Sequence, residues 1–291
     1  MTQRRMLEQH RQKLEEVRGI MNSMKILAHM EVRKLTHFLD AQRAVIIHIE
    51  SVATDFISAY PEALPPPDKS RQVYLLLGSE RGFCGDFNES LLMQMESHID
   101  ENNTNTPQLI ATGRKLCAQL EKDSRVVAFI DSANMVEEAK KTLLQIIKAL
   151  AQLQTDGGTP SLTVIYHDPD REQVITSEVL PPFEKLRAVA PQFSQPPLLN
   201  LPQQEFLAEL IDHYLFAALH EILYISLMAE NLRRVRHLEG AVQHLDDKSE
   251  ELMRQCNALR QEEIIEEIEV ILLSTVSLDG GRHKSRLSTD H

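Results

Sequence analysis

The residues with the clearest chemical potential are Gly78-Ser79-Glu80-Arg81-Gly82-Phe83-Cys84-Gly85-Asp86-Phe87-Asn88, which follow a short apolar run. A glycine-rich turn between a first strand and a helix is where α/β proteins hold phosphate, because bare backbone N–H groups converge there. The glycines here are spaced four and three apart, which fits neither GxGxxG nor GxxxxGK[ST]. Glu80 and Asp86 would also repel a phosphate, so nucleotide binding is not expected. Cys84 sits between glycines, but a nucleophilic thiol needs a base and a thiolate-stabilising site. Nothing in the sequence places His98 or His167 beside it, so Cys84 reads as a structural cysteine in a tight turn.

Metal chemistry fares no better. His213 with His220, and His237 with His244, are each seven apart. On a helix that is about 10 Å, too far for two ligands of one ion without help from elsewhere. Glu262-Glu263 and Glu266-Glu267 read as a charged helix face. No cofactor and no metal is expected, and no catalytic residue.

The elements around the loop are more informative. Gln203 to Leu278 has no proline and one interior glycine, Gly240. Met228, Val235, Val242 and Cys256 fall seven or fourteen apart, with Leu238, Leu245, Leu252 and Leu259 on a second row three residues on. That is a coiled-coil seam on a helix of roughly 110 Å. Leu7 to Ala59 shows a matching series, Leu7, Leu14, Met21, Ala28, Leu35, Gln42, Ile49 and Phe56. A second row three residues further on, Val17, Met24, Phe38, Val45 and Val52, is expected to share its seam, with His10 and Glu31 as polar exceptions. Pro61 and Pro65-Pro66-Pro67 stop that helix.

Between them the period changes. Strands are expected at Val73–Leu77, Leu109–Ala111, Val126–Ile130, Leu162–Tyr166 and Gln173–Leu180. Helices are expected at Asn88–Ile99, Gly113–Lys122 and Met135–Leu153. Such alternation gives a mostly parallel α/β sheet, and Pro181–Pro202 is a connector. The expected fold is therefore α/β: an antiparallel coiled coil of N- and C-terminal helices plus a Rossmann-like domain without a nucleotide loop. Its divisions are 1–60, 61–202, 203–278 and a polar tail 279–291. The last helix should outrun its partner, leaving a portion to be held by another chain.

Composition narrows the function class. A net charge of −12 argues against a nucleic-acid binder. Three scattered cysteines give no disulfide framework. The N-terminal stretch lacks the apolar core of a signal peptide, and no apolar run approaches the roughly 18 residues of a membrane span.

Ser23 to Lys34, Ser79 to Asn88 and Asn257 to Ile268 are three segments that together resemble one family, the gamma subunit of F-type ATP synthases. Ser23-Met24-Lys25-Ile26-Leu27-Ala28 through Val32-Arg33-Lys34 is similar to its first-helix motif A-M-K-M-V-A-A-x-K-L-R-K. Ser79 to Asn88 is similar to its S-D-R-G-L-C-G-G-x-N loop, matching at Arg81, Gly82, Cys84, Gly85 and Asn88. Asn257, Arg260, Gln261, Ile264, Glu267 and Ile268 match its N-K-A-R-Q-x-x-I-T-x-E-I motif, and Glu230 and Arg234 its S-E-x-x-A-R-M stretch. The chain departs from the pattern at Glu31 (lysine in the family), Asp86 (glycine) and Ile265 (threonine), and in the charge-rich Arg233-Arg234-Val235-Arg236. The resemblance implies a non-catalytic rotor shaft. Its partners would be the alpha and beta subunits of a catalytic hexamer, an epsilon subunit and a ring of c subunits. It would sit at the cytoplasmic face of a bacterial inner membrane, touching the membrane only through other subunits. It also implies beta-subunit contacts at Arg234, Arg260, Gln261, Met24 and Lys25; Arg234 and Arg260 flank the seam residues Val235 and Leu259, so each is expected to project outward. A non-rotary scaffold with an α/β recognition domain accounts for the heptads equally; the loop and the Asn257–Ile268 motif discriminate against it.

Overall fold

The computed structural model describes residues 3–64, 72–99, 107–153, 161–184, 186, 189, 193 and 195–284, with side chains as far as 273. Pro65-Pro66-Pro67 lie outside the described residues. The elements run α1 (Gln3–Ala59), β1 (Gln72–Leu77), α2 (Phe87–His98), β2 (Gln108–Thr112), α3 (Arg114–Gln119), β3 (Val126–Ile130), α4 (Val136–Leu153), β4 (Ser161–Asp168), β5 (Gln173–Leu180) and α5 (Gln203–Lys284). The last helix thus continues six residues into the stretch read as a polar tail. The chain forms two compact units, Met1–Met24 with Leu238–His291, and Lys25–His237.

In the larger unit the sheet has the order β3-β2-β1-β4-β5. The pairs β1·β2, β1·β4 and β2·β3 are parallel. β5 returns antiparallel from β4 across the short turn at Asp168–Gln173. Alternation along each strand sorts the core into two faces. Val73, Leu75 and Leu77 of β1 join Ile110, Val164 and Tyr166 against α4, α5 and the Leu35–Leu39 turn of α1. Tyr74 and Leu76 join Leu109, Ala111 and Ile165 against α2 and α3. The α5 stretch from Ala217 to Leu227 is buried on almost every side except at His220 and Glu221. An 18-residue window of this helix is apolar enough to cross a membrane by composition alone, with a mean hydropathy of 1.2, which corrects the expectation that no run comes close. Since 67% of that window is buried inside the fold, its apolarity serves the core.

Within the same unit the two terminal helices run antiparallel. Gln42 Nε2 donates to Ala217 O at 3.0 Å, Arg43 meets Glu221 at 3.4 Å, and Phe56 stacks on Phe206 at 4.9 Å between centroids. The series Ala28, Leu35, Gln42, Ile49 and Phe56 faces inward as expected, but its companion row does not. Phe38, Val45 and Val52 are each about half exposed, whereas Leu39, Ile46 and Ala53 are buried. The inner stripe therefore steps four residues and then three, placing the second row one residue later than expected. Both spacings are apolar in this helix, so periodicity alone could not choose between them.

Glu31, the polar exception, is buried for a reason. Its Oε2 accepts from the backbone N–H of Val136 at 3.2 Å, capping the first turn of α4 from another helix. Lys34 bridges the same carboxylate (2.9 Å) and Glu137 (3.0 Å), so the family's lysine here would leave α4 uncapped.

In the smaller unit the helix ends are antiparallel too. Arg18 chelates Asp246, and Arg4 reaches Glu263 at 3.0 Å. Leu7, Leu14 and Met21 are half-buried, as are Leu245 and Leu259, while Val242, Leu252 and Cys256 are buried. Here the row spacing read for α5 holds. Val17 is exposed, and so are Ile264, Ile265, Ile268, Val270 and Leu273. Register can be measured directly: Leu39→Ala should cost about 2–4 kcal/mol in urea unfolding and Phe38→Ala about 1 kcal/mol or less. The reverse order would restore the three-residue spacing.

Candidate functional site

The loop between β1 and α2 is fixed at both ends by side chains that fold back on it. Asn88 accepts from the Ser79 N–H at 2.9 Å and donates to Ser79 Oγ at 3.0 Å, closing the loop on itself. Glu80 leaves the loop to accept from the backbone N–H groups of Arg114 (3.1 Å) and Ser132 (2.9 Å), and pairs with the Arg114 guanidinium at 2.6 Å. The backbone crosses closely beneath it. A Cβ on Gly113, at φ 91°, would lie 2.5 Å from Gly78 O, and one on Gly78 would lie 2.3 Å from the Leu116 Cβ. Glycine at 78 and 113 is thus a demand of strand-end packing, not of a phosphate. Asp86 and Glu89 already place carboxylates at the N-terminus of α2, where a nucleotide would need positive potential.

The rest of the loop is held by α5. Arg234 is buried (6% exposed) and paired with Glu230 (3% exposed) one turn before it. Its other hydrogens go to Asn231 Oδ1 at 2.9 Å, Gly82 O at 3.3 Å and Cys84 Sγ at 3.3 Å. Glu230 in turn lies 3.5 Å from the Arg81 N–H. Burial pushes the Glu230 carboxyl above its usual range against the pull of Arg234. Arg233, one residue earlier, pairs with Asp86 at 2.7 Å and lies over the Phe87 ring. Arg236 pairs with Glu172 of the β4–β5 turn at 2.7 Å.

These contacts correct the outward projection expected of Arg234. A neighbour of a seam residue on a coiled coil points away from that seam, but here a second surface, the loop, lies on that side. The other expected contact residues are placed differently. Arg260 and Gln261 are exposed, and Met24 and Lys25 are half-buried. The structure brings Arg81, Gly82, Cys84, Gly85 and Asn88 together in one loop with Arg234 and Glu230, and keeps Arg260 and Gln261 on other turns of α5.

Cys84 and His167 both line a cleft of ≈ 450 Å³, along with Asp86, Glu172, Arg233 and Arg236. They do not form a nucleophile and base. Burial, with Glu230 adding to it, pushes the Cys84 thiol up to about 12, so it stays protonated and donates to the Arg81 and Gly82 carbonyls. His167 Nε2 sits 2.8 Å from Phe87 O and 3.3 Å from Ser90 Oγ, with its ring stacked on Phe87 at 4.0 Å. Desolvation lowers it to about 4. No group of three His, Cys, Asp or Glu suited to a metal occurs among the described residues.

Antiparallel terminal helices, a five-stranded mixed α/β sheet, and a β1–α2 loop gripped by the chain's own last helix define a helix-borne α/β protein. The family model described as ATP synthase matches residues 3–278, and the chain belongs to that family as a divergent member of its gamma-subunit branch. The ATP synthase gamma chain of Clostridium beijerinckii is 25% identical over 273 residues, covering 89% of this chain and 92% of that one. That of Clostridium botulinum (strain Langeland) is 23% identical over 263 residues, with 88% and 91% covered. Among solved structures, a chain of the Euglena gracilis mitochondrial ATP synthase in its OSCP/F1/c-ring assembly has a TM-score of 0.59 at 16% identity, covering 96% of this chain and 95% of that one. A chain of the Tetrahymena thermophila central stalk and c-ring has a TM-score of 0.58 at 18% identity, with 76% and 99% covered. The fold is thus the central-stalk fold.

The buried imidazole gives this site a pH signature. Its folded value lies below its unfolded one, so its contribution is intact above about pH 6.5 and is lost as pH falls towards 4. Unfolding free energy should drop by about 2–3 kcal/mol from this group between pH 7 and 4.5. In His167→Gln, which keeps a donor for Phe87 O, the curve should be flatter by that amount; an unchanged curve would show the imidazole to be solvated.

Proposed function

We propose that this chain is the central-stalk gamma subunit of a rotary F-type ATP synthase, coupling ion flow through a membrane ring to ATP synthesis or hydrolysis in a catalytic hexamer. The observation that carries this reading is the family match over residues 3–278, on a chain whose two ends are antiparallel helices. A shaft needs stiffness rather than an active site, and a protonated Cys84 and a clamped loop suit a subunit that does no chemistry itself. Its partners are the alpha and beta subunits, an epsilon subunit and a c-subunit ring, and its place is peripheral, at the cytoplasmic face of a bacterial inner membrane. The apolar residues Ile264, Ile265, Ile268, Val270 and Leu273 are exposed on α5, as expected of a helix end covered by another chain.

Purification of the native chain through an affinity tag tests the assignment. The expected outcome is a complex containing three copies each of two homologous nucleotide-binding chains. A chain that purifies alone, or with unrelated partners, overturns it.

Arg260 and Gln261, exposed on α5, are proposed to hydrogen-bond a beta subunit, with Met24 and Lys25 adding contacts from α1. A guanidinium suits this because its planar fork serves carbonyls and carboxylates alike. The double variant Arg260→Ala, Gln261→Ala should leave thermal unfolding of the free chain within about 2 °C, as surface changes do. In the complex it should weaken rotor–hexamer association by about 1–3 kcal/mol, read as earlier dissociation in a urea series.

A further inference from the structure

About three turns of α5, Ser226 to Arg236, place nearly all their polar side chains on the β1 end, the loop or the β4–β5 turn. Ser226 donates to Leu77 O at 3.3 Å, Glu230 and Arg234 hold Arg81, Gly82 and Cys84, Arg233 holds Asp86, and Arg236 holds Glu172. The central pair is the one that stands out physically. A buried ion pair seldom adds net stability over apolar residues of the same volume, but it penalises severely any arrangement that leaves one charge without its partner. Apolar contacts such as Ala229 against the sheet can slide; a guanidinium fitted to one carboxylate, one carbonyl and one thiol cannot. The loop it grips is itself held in an uncommon shape, with Phe83 at φ 64° and Gly85 at φ 62°.

We propose that Glu230 and Arg234 form an anti-slip key, fixing the axial and rotational register of α5 against the loop Ser79–Asn88 so that a twisting load on the helix is delivered to the α/β sheet. They are positioning residues. The idea that such a load exists rests on the rotary reading; the existence of the key does not. Asp86 with Arg233, where this chain departs from the family's glycine, adds a second, half-exposed tie to the same loop. Cys84 supplies a built-in reporter, because it is buried under the Arg234 guanidinium.

The test uses the full chain with Cys117→Ala and Cys256→Ala, so that Cys84 is the remaining thiol. Two forms are compared: this parent and the apolar double variant Glu230→Met, Arg234→Met. Thermal unfolding and the rate of Cys84 labelling by a small disulfide reagent are measured for each. Glu230 raises the thiol's pKa and Arg234 lowers it, so removing both leaves access as the main variable. If the pair is a key, the apolar variant melts at or near the parent temperature, yet Cys84 reacts at least tenfold faster. If the pair contributes only to stability, labelling follows the melting temperature, and an unchanged rate at unchanged stability overturns the proposal. Should the apolar variant fail to fold, Arg234→Lys decides. It keeps the charge but not the fork, so faster labelling without a matching fall in melting temperature supports the key, and parent-like labelling overturns it. None of these readouts depends on assembly with a hexamer, so failure of the rotary reading in the purification experiment would be recognised separately.

Discussion

The salt bridge between Glu230 and Arg234 ties α5 to the β1–α2 loop within the larger unit. Both partners are buried, so neither can relax into water, and the surrounding structure has to satisfy them. The loop backbone meets that requirement by turning the Gly82 carbonyl and the Arg81 N–H towards the pair, with the Cys84 sulfur beside the guanidinium. At the strand ends beneath the loop, a Cβ on Gly113 would meet Gly78 O and one on Gly78 would meet Leu116 and Thr112 O, so neither position has room for a side chain. A turn that elsewhere cradles phosphate is here filled by the protein's own side chains.

Much of this was legible in the sequence. The order of strands and helices followed from the change of period, and the α5 seam followed from the heptad spacing of Val235, Leu238, Val242, Leu252 and Cys256. The α1 seam was harder because Phe38 and Leu39, Val45 and Ile46, and Val52 and Ala53 are adjacent apolar pairs. Hydropathy cannot say which of each pair faces in, and only packing against α5 and the sheet decides it. Arg234 was misplaced for a related reason. A heptad pattern describes one neighbour, and the second surface that swallows this guanidinium comes from residues some 150 positions away in the chain.

The departures from the family pattern turn out to be structurally coherent. Glu31, in place of lysine, becomes an acceptor for the first turn of α4, with Lys34 balancing its charge. Asp86, in place of glycine, becomes the partner of Arg233, one of the arginines that made the last helix unusually charged. In both cases a carboxylate in one element meets a cation or a helix N-terminus in another, which adds ties within the unit.

The way α5 completes the sheet has a consequence for biosynthesis. One face of the sheet is assembled from β1, β2, β4 and α4, with Leu35 and Leu39 from near the chain's beginning, but it is closed by Ala218, Leu219, Ile222, Leu223 and Leu227. The residues that cover it are among the last third to leave the ribosome. Until they emerge, Val73, Leu75, Val164 and their neighbours have no lid, and a nascent chain with that much bare apolar surface is prone to capture by other chains. A premature stop before residue 218 would therefore yield not a shortened rotor but an adhesive fragment, dependent on chaperones and proteases for its removal.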